Sequence, residues 1–212
     1  MTSAALTSHP SKPFVNRPNP LSVGLIVWLG SEVLFFAGLF SIYFSLRSVN
    51  PELWHHHLVE NGILNVPFAF VNTTVLVLSS VTAQFGVFAA ERMQPRRTGW
   101  KLSQWGMIEW FILTFILGAT FVSGQVYEYA ALVGHGLSLN TDPYSAGFYI
   151  TTGFHAIHVT GGLIAFLLII GRAYAAKKFG HFEANGAIAA SYYWHFVDVV
   201  WVALFIVIYF LQ

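Results

Sequence analysis

An all-α integral membrane bundle of five transmembrane helices is the fold class that this sequence predicts, and three observations carry the prediction. Of the 212 residues, 56% are hydrophobic and only 9% charged, with a mean hydropathy of +0.62; a soluble domain of this size carries about 25% charged residues. The apolar residues fall into five long runs. At ~1.5 Å per residue, each is long enough to cross the ~30 Å hydrocarbon core of a bilayer. The Lys and Arg residues, finally, gather in alternate connections, as they do in polytopic membrane proteins.

Taken in order, residues 1–20 form a polar tail with four prolines, expected to be irregular, and without the apolar core and small-residue cleavage site of a signal peptide. The first membrane helix itself is then the targeting element. Residues 21–212 form the membrane domain, with helices expected over about 21–46, 64–90, 102–132, 144–174 and 187–211. Pro67 near the start of the second, where a missing N–H costs little, and Asp142-Pro143 ahead of the fourth are helix-start signals. The connections are too short to hold a second domain, and no internal repeat is evident.

Orientation follows from the cations. Lys12 and Arg17 precede the first helix; Arg92, Arg96, Arg97 and Lys101 lie between the second and third; Arg172, Lys177 and Lys178 lie between the fourth and fifth. Only Arg47 falls on the opposite side, so nine of the ten Lys and Arg residues share one side. The positive-inside rule then places the N-terminus in the cytoplasm and the C-terminus outside.

Two compositional facts exclude functions. The chain has no cysteine, which removes disulfides, Cys-ligated iron–sulfur clusters and a thiolate copper site from it. A formal net charge of +1 gives no electrostatic basis for a nucleic-acid partner.

Polar side chains inside the membrane are the candidate functional residues, because each must be explained against the cost of burying it. Glu32 is expected in the first helix, Glu109 in the third, His155 and His158 in the fourth, and His195 and Asp198 in the fifth, all near mid-membrane. Gln125 and Glu128 lie toward the outer end of the third. His195 and Asp198, three apart, share a helical face that must pack on something polar; Trp194 and Trp201 form a neighbouring stripe. The structural account is that these groups hydrogen-bond to one another and fix helix packing. The alternative for the histidines is ligation of a metal or haem, a weak signal at this spacing. Glu32, with no basic residue near it in sequence, suits proton handling inside the membrane, and a permanently protonated hydrogen-bond donor is the other reading. The run His55–His56–His57 reads as a solvated outer loop. Trp28, Trp100, Trp105, Trp110 and Tyr209 read mostly as interface anchors.

Several stretches together resemble one family. YYWHFVDVVWVALFIVIYF in the fifth helix, FYITTGFHAIHVTGG in the fourth, WLGSEVLFFAGLFSIYF in the first and VNTTVLVLSS in the second are similar to the signatures of subunit III of haem–copper cytochrome c oxidases. Gln125, Glu128 and Tyr129 match that family's QxxEY element. The resemblance covers nearly everything after Pro20, in the family's order, and its five-helix form is a bacterial one. Seven-helix members carry two further helices before the SEVLFF helix, which enclose a lipid-filled cleft; here only the polar tail stands in that place.

The resemblance implies a subunit of a proton-translocating oxidase in the bacterial plasma membrane, with no catalytic residue, metal or redox centre of its own. Haem and copper would lie in partner subunits I and II. The chain would stabilise subunit I, hold structural phospholipids and support proton uptake. A cytochrome bc complex in a supercomplex is a further implied partner. The Glu32 carboxylate would face the catalytic subunit's side, while Glu128, His155, His158, His195 and Asp198 would serve structural roles. Subunit III of a quinol oxidase is the alternative within the superfamily. Two readings come from other classes: a small proton-coupled transporter using Glu32, Glu109 and Asp198, and a haem-binding electron carrier using the histidines.

Overall fold

A computed structural model describes residues 20–55, 64–175 and 179–211. The expectations for the N-terminal tail and for His56 and His57 lie outside these residues. All regular structure among the described residues is helical: α1 (Pro20–Val49), α2 (Pro51–His55), α3 (Val66–Glu91), α4 (Met107–Gly134), α5 (Pro143–Ala175) and α6 (His181–Phe205), the last extended by a π-helical turn, Ile206–Phe210. Five of these are long and apolar enough to cross a membrane: α1, α3, α4, α5 and α6 with its extension.

Helix ends are set by local hydrogen bonding. Asn65 Oδ1 accepts from the Phe68 amide at 3.1 Å and starts α3 with Pro67 in its first turn. Asp142 Oδ1 accepts from the Ser145 amide at 2.7 Å and starts α5. Glu183 Oε2 accepts from the Gly180 amide at 2.9 Å, so α6 begins at His181, six residues before the apolar run. The polar segment HFEANG is helical because its carboxylate caps free amides and complements the positive helix end.

At α4 the difference runs the other way. Residues 102–104 form a separate 3-10 turn, and the helix starts only at Met107. The reason is a compact connection: Gln94 carbonyl accepts from the Met107 amide at 3.0 Å, and Thr98 amide donates to Gln104 at 2.9 Å. Its tight spot is Gly106, where a Cβ would lie 2.5 Å from the Arg96 backbone. Glu109 therefore sits in the first turn of α4, its Oε2 accepting from the Gly106 amide at 3.1 Å. It is a capping residue at the helix entrance, not a mid-membrane carboxyl.

The helices pack as α3 on α4, α4 on α5, and α5 on α6, with α6 also against α3 and α1. Two tryptophans seven residues apart hold α6 at the centre. Trp194, fully buried, donates to Ser79 Oγ at 2.9 Å. Trp201, also fully buried, donates to Thr73 Oγ1 at 2.9 Å. The Trp194 indole lies against two glycines: a Cβ on Gly118 of α4 would come within 2.6 Å of it, and one on Gly162 of α5 within 2.7 Å. Small residues thus let the backbones close around a large ring, the packing logic of helices in lipid. At the end of the bundle that holds the C-terminus of α1, Trp54 of α2 donates to Tyr43 OH at 3.1 Å and lies edge-on to Tyr43 and Tyr144. Arg47 Nη1 donates to the Leu211 carbonyl, tying the end of α1 to the end of α6.

Candidate functional site: the intramembrane polar groups

The polar side chains form separate sites. On the seam between α1 and α5, Glu32 Oε2 lies 3.1 Å from His158 Nε2, with both residues half-buried. His158 Nδ1 is 2.7 Å from the Phe154 carbonyl. A carbonyl only accepts, so Nδ1 carries the hydrogen. Nε2 then either accepts from a protonated Glu32 or, as imidazolium, donates to the carboxylate. Phe36 stands edge-on to the His158 ring at 5.0 Å, and Phe35 is beside it. Tyr193 OH donates to the His158 carbonyl at 2.9 Å, while its ring stacks on Trp28 at 5.6 Å.

His155, one turn earlier on α5, is different. It is 0% exposed, stacks on Trp201 at 4.9 Å and meets Phe121 edge-on at 6.1 Å. Neither ring nitrogen has a hydrogen-bond partner. It is packed as an aromatic plate.

Between α3 and α6, His195 Nε2 lies 3.2 Å from Gln84 Oε1. Asp198 adjoins Ser80 of α3, yet neither Asp198 Oδ1 nor Ser80 Oγ reaches a partner with hydrogen-bond geometry. Toward the other end of α4, Glu128 Oε1 accepts from Tyr209 OH at 2.7 Å and Glu128 Oε2 is 3.4 Å from Gln125 Nε2. Tyr209 is 3% exposed, so it holds this carboxyl inside the bundle and is no interface anchor. Trp110 is likewise buried, packed between Phe85 and Trp105, whereas Trp100 stands 88% exposed beneath the Arg97 guanidinium. Glu128 also lines a cavity of about 450 Å³ with Asn65, Tyr127 and His135.

The structure thus joins Glu32 to His158, and it keeps His155, His195 and Asp198 apart from that pair. Tyr209, Gln84, Ser79 and Thr73 are the partners that the sequence reading did not assign. The TTVLVLSS pattern on α3 puts Thr73 and Ser79 six residues apart, close to the seven-residue spacing of the two tryptophans; it was the available signal. A bis-histidine haem site needs two facing histidines. Here His158 turns to Glu32, His195 to Gln84 and His155 to Trp201. Among the described residues no group of three or more His, Asp or Glu side chains gathers as a metal site.

Fold and sites together define a polytopic helical membrane protein with polar side chains on the contacts between its helices. The family model described as Cytochrome c oxidase subunit III matches residues 8–212. The chain is 49% identical to a cytochrome c oxidase subunit 3 of Corynebacterium diphtheriae, across 93% of this chain and 91% of the relative. It is 48% identical to a probable cytochrome c oxidase subunit 3 of Mycobacterium tuberculosis over the same shares. With a cytochrome c oxidase subunit 3 of Thermostichus vulcanus it shares 38% identity across 92% of this chain and 89% of the relative. The chain belongs to the cytochrome c oxidase subunit III family and is a multi-pass protein of the bacterial membrane.

Proposed function

We propose that this chain is the subunit of a haem–copper terminal oxidase that carries no redox centre, stabilises subunit I, holds phospholipids and supports proton uptake. The observation that carries the reading is the match to a cytochrome c oxidase subunit 3 across 93% of this chain, at 49% identity over 203 residues. Haem and copper belong to subunits I and II in this scheme, and a cytochrome bc complex is a candidate neighbour. The names of the relatives favour cytochrome c over a quinol as electron donor. The Glu32–His158 contact supports a proton role: a carboxyl and an imidazole 3.1 Å apart accept and return one proton with little movement of heavy atoms.

The experiment is purification from membranes through an affinity tag on this chain in mild detergent. Co-purification of haem-bearing subunits with cytochrome c oxidase activity is expected. A tagged chain that comes alone with proton-coupled uptake of a solute would replace this reading with the transporter. One that comes alone with its own haem absorbance would replace it with the electron carrier.

A further inference from the structure

A cavity of about 450 Å³ opens beside the 92–106 connection, apart from every polar site described above. The end of α3 supplies Phe85, Phe88 and Arg92 to it, and Leu102, Trp105 and Trp110 form the facing wall. At its deeper end α3 and α4 close together, for a Cβ on Gly86 would clash with the Phe111 ring. Toward the connection the 3-10 turn stands off α3 and leaves the gap. The hydrogen bonds from Met107 to Gln94 and from Thr98 to Gln104 hold that turn in place, so the cavity is preformed.

The two ends of the cavity differ in chemistry. The membrane end is aromatic: the Phe85 ring lies 4.9 Å from Trp110, and Trp105 lies 5.1 Å from Trp110. Phe85 and Phe88 remain 45% and 42% exposed, so this wall is open to acyl chains. The other end carries Arg92, on the cation-rich side that the positive-inside rule assigns to the cytoplasm. Two neighbouring cations are already engaged, Arg96 over the Tyr174 ring at 5.0 Å and Arg97 over Trp100 at 4.8 Å. The Arg92 guanidinium has no hydrogen bond, ion pair or ring contact among the described residues, and Glu91 beside it in sequence makes no ion pair with it.

We propose that this cavity holds one anionic phospholipid of the cytoplasmic leaflet, its phosphate on the Arg92 guanidinium and an acyl chain along the Phe85, Phe88 and Trp110 wall. A guanidinium matches a phosphate with paired N–H donors. A headgroup without its own ammonium leaves that phosphate uncompensated, so it gains more here than a zwitterionic one does. Basic pockets between transmembrane helices on the cytoplasmic side take anionic lipids for this reason. A water-soluble anion would meet Arg92 but leave the aromatic wall bare.

The inference rests on the reading that the chain holds phospholipids, and one experiment separates the two. The assembled complex, purified through a tag in mild detergent, is placed in phosphatidylcholine vesicles. They contain a little phosphatidylglycerol with a photoactivatable group in one acyl chain, and a parallel sample has the same group on phosphatidylcholine. After irradiation and digestion, adducts are mapped along the chain. The phosphatidylglycerol probe is expected to mark residues 85–92 and 102–110 at least fivefold more than the phosphatidylcholine probe. Arg92→Gln should abolish that preference, and Arg92→Lys should keep part of it. Equal marking by both probes, meaning ordinary bilayer lipid only, would overturn the site, as would a preference that survives Arg92→Gln. Phospholipid extracted from the purified complex gives the second readout. If the complex carries phospholipid but shows no preference at this cavity, the site alone fails; if it carries none, the phospholipid-holding reading fails.

Discussion

Glu32 and His158 are 126 residues apart in the chain and meet at 3.1 Å across the seam of α1 and α5. Their contact gives an acid with no basic neighbour in sequence an imidazole partner from another helix. Glu32→Gln keeps the carbonyl and an N–H but cannot exchange a proton. Both Glu32→Gln and Glu32→Ala are therefore expected to leave the haem spectrum of the assembled oxidase intact and to shorten its lifetime under sustained turnover. His158→Gln should reproduce the effect. Proton-uptake rate and turnover lifetime are the measurements; a Glu32→Gln enzyme indistinguishable from the parent would reduce the pair to a packing contact.

Trp194 and Trp201 should dominate stability. Either one changed to Ala removes a fully buried indole and its hydrogen bond to α3, a loss of about 3–5 kcal/mol on the scale of large-to-small core changes. Gly162→Leu should act in the same direction by overpacking, because even its Cβ would lie 2.7 Å from the Trp194 ring. Thermal unfolding in detergent, followed by tryptophan fluorescence or by loss of helicity, reads both.

His155→Phe gives the opposite expectation. The histidine ring makes no hydrogen bond and stacks on Trp201, so a phenyl ring keeps the packing and removes two unsatisfied polar atoms. The variant should unfold within about 1 kcal/mol of the parent, since replacing unpaired polar groups by apolar ones of similar shape is nearly neutral. A large loss of stability or of oxidase assembly would show that an imidazole nitrogen is needed at this position.

Tyr209→Phe removes the 2.7 Å donor to the Glu128 carboxyl and leaves only the longer contact with Gln125. A cost of about 1–3 kcal/mol is expected for the orphaned acceptor, and Glu128→Leu together with Tyr209→Phe should recover part of it. A double-mutant cycle on thermal stability measures the coupling.

Topology is tested by fusions. A reporter joined at Gln212 should be external, and one in the Arg96–Lys101 connection should be cytoplasmic, because nine of ten Lys and Arg residues lie on one side. The reverse result at either site would overturn the orientation.

The long helices were legible because a membrane imposes a length and a polarity on each segment, and both are written locally. What escaped was decided by groups distant in sequence or by end effects. The first turns of α6 are polar, so apolarity alone placed its start at residue 187, and the Glu183 cap extends the helix to His181. Glu109 looked like a mid-membrane acid until the 94–106 connection proved to be a hydrogen-bonded module that delays α4. Tyr209 had the position of an interface anchor, but Glu128, 81 residues earlier, draws it inward. Single-sequence pattern shows that a buried carboxyl needs a partner; it does not show which one.

The two tryptophan anchors also bear on how the protein is made. They sit on α6, which is synthesised after the surfaces that receive them: Ser79 and Thr73 on α3, Gly118 on α4 and Gly162 on α5. Half of the most apolar stretch of α6 and its extension is buried in the finished bundle, against 11% for α1. Until α6 arrives, the earlier helices lack their common neighbour and present bare hydroxyls and glycine clefts to lipid. Synthesis of α6 is thus the event that closes the bundle. A nascent chain cut short before His181 lacks both tryptophan anchors and leaves these surfaces uncovered.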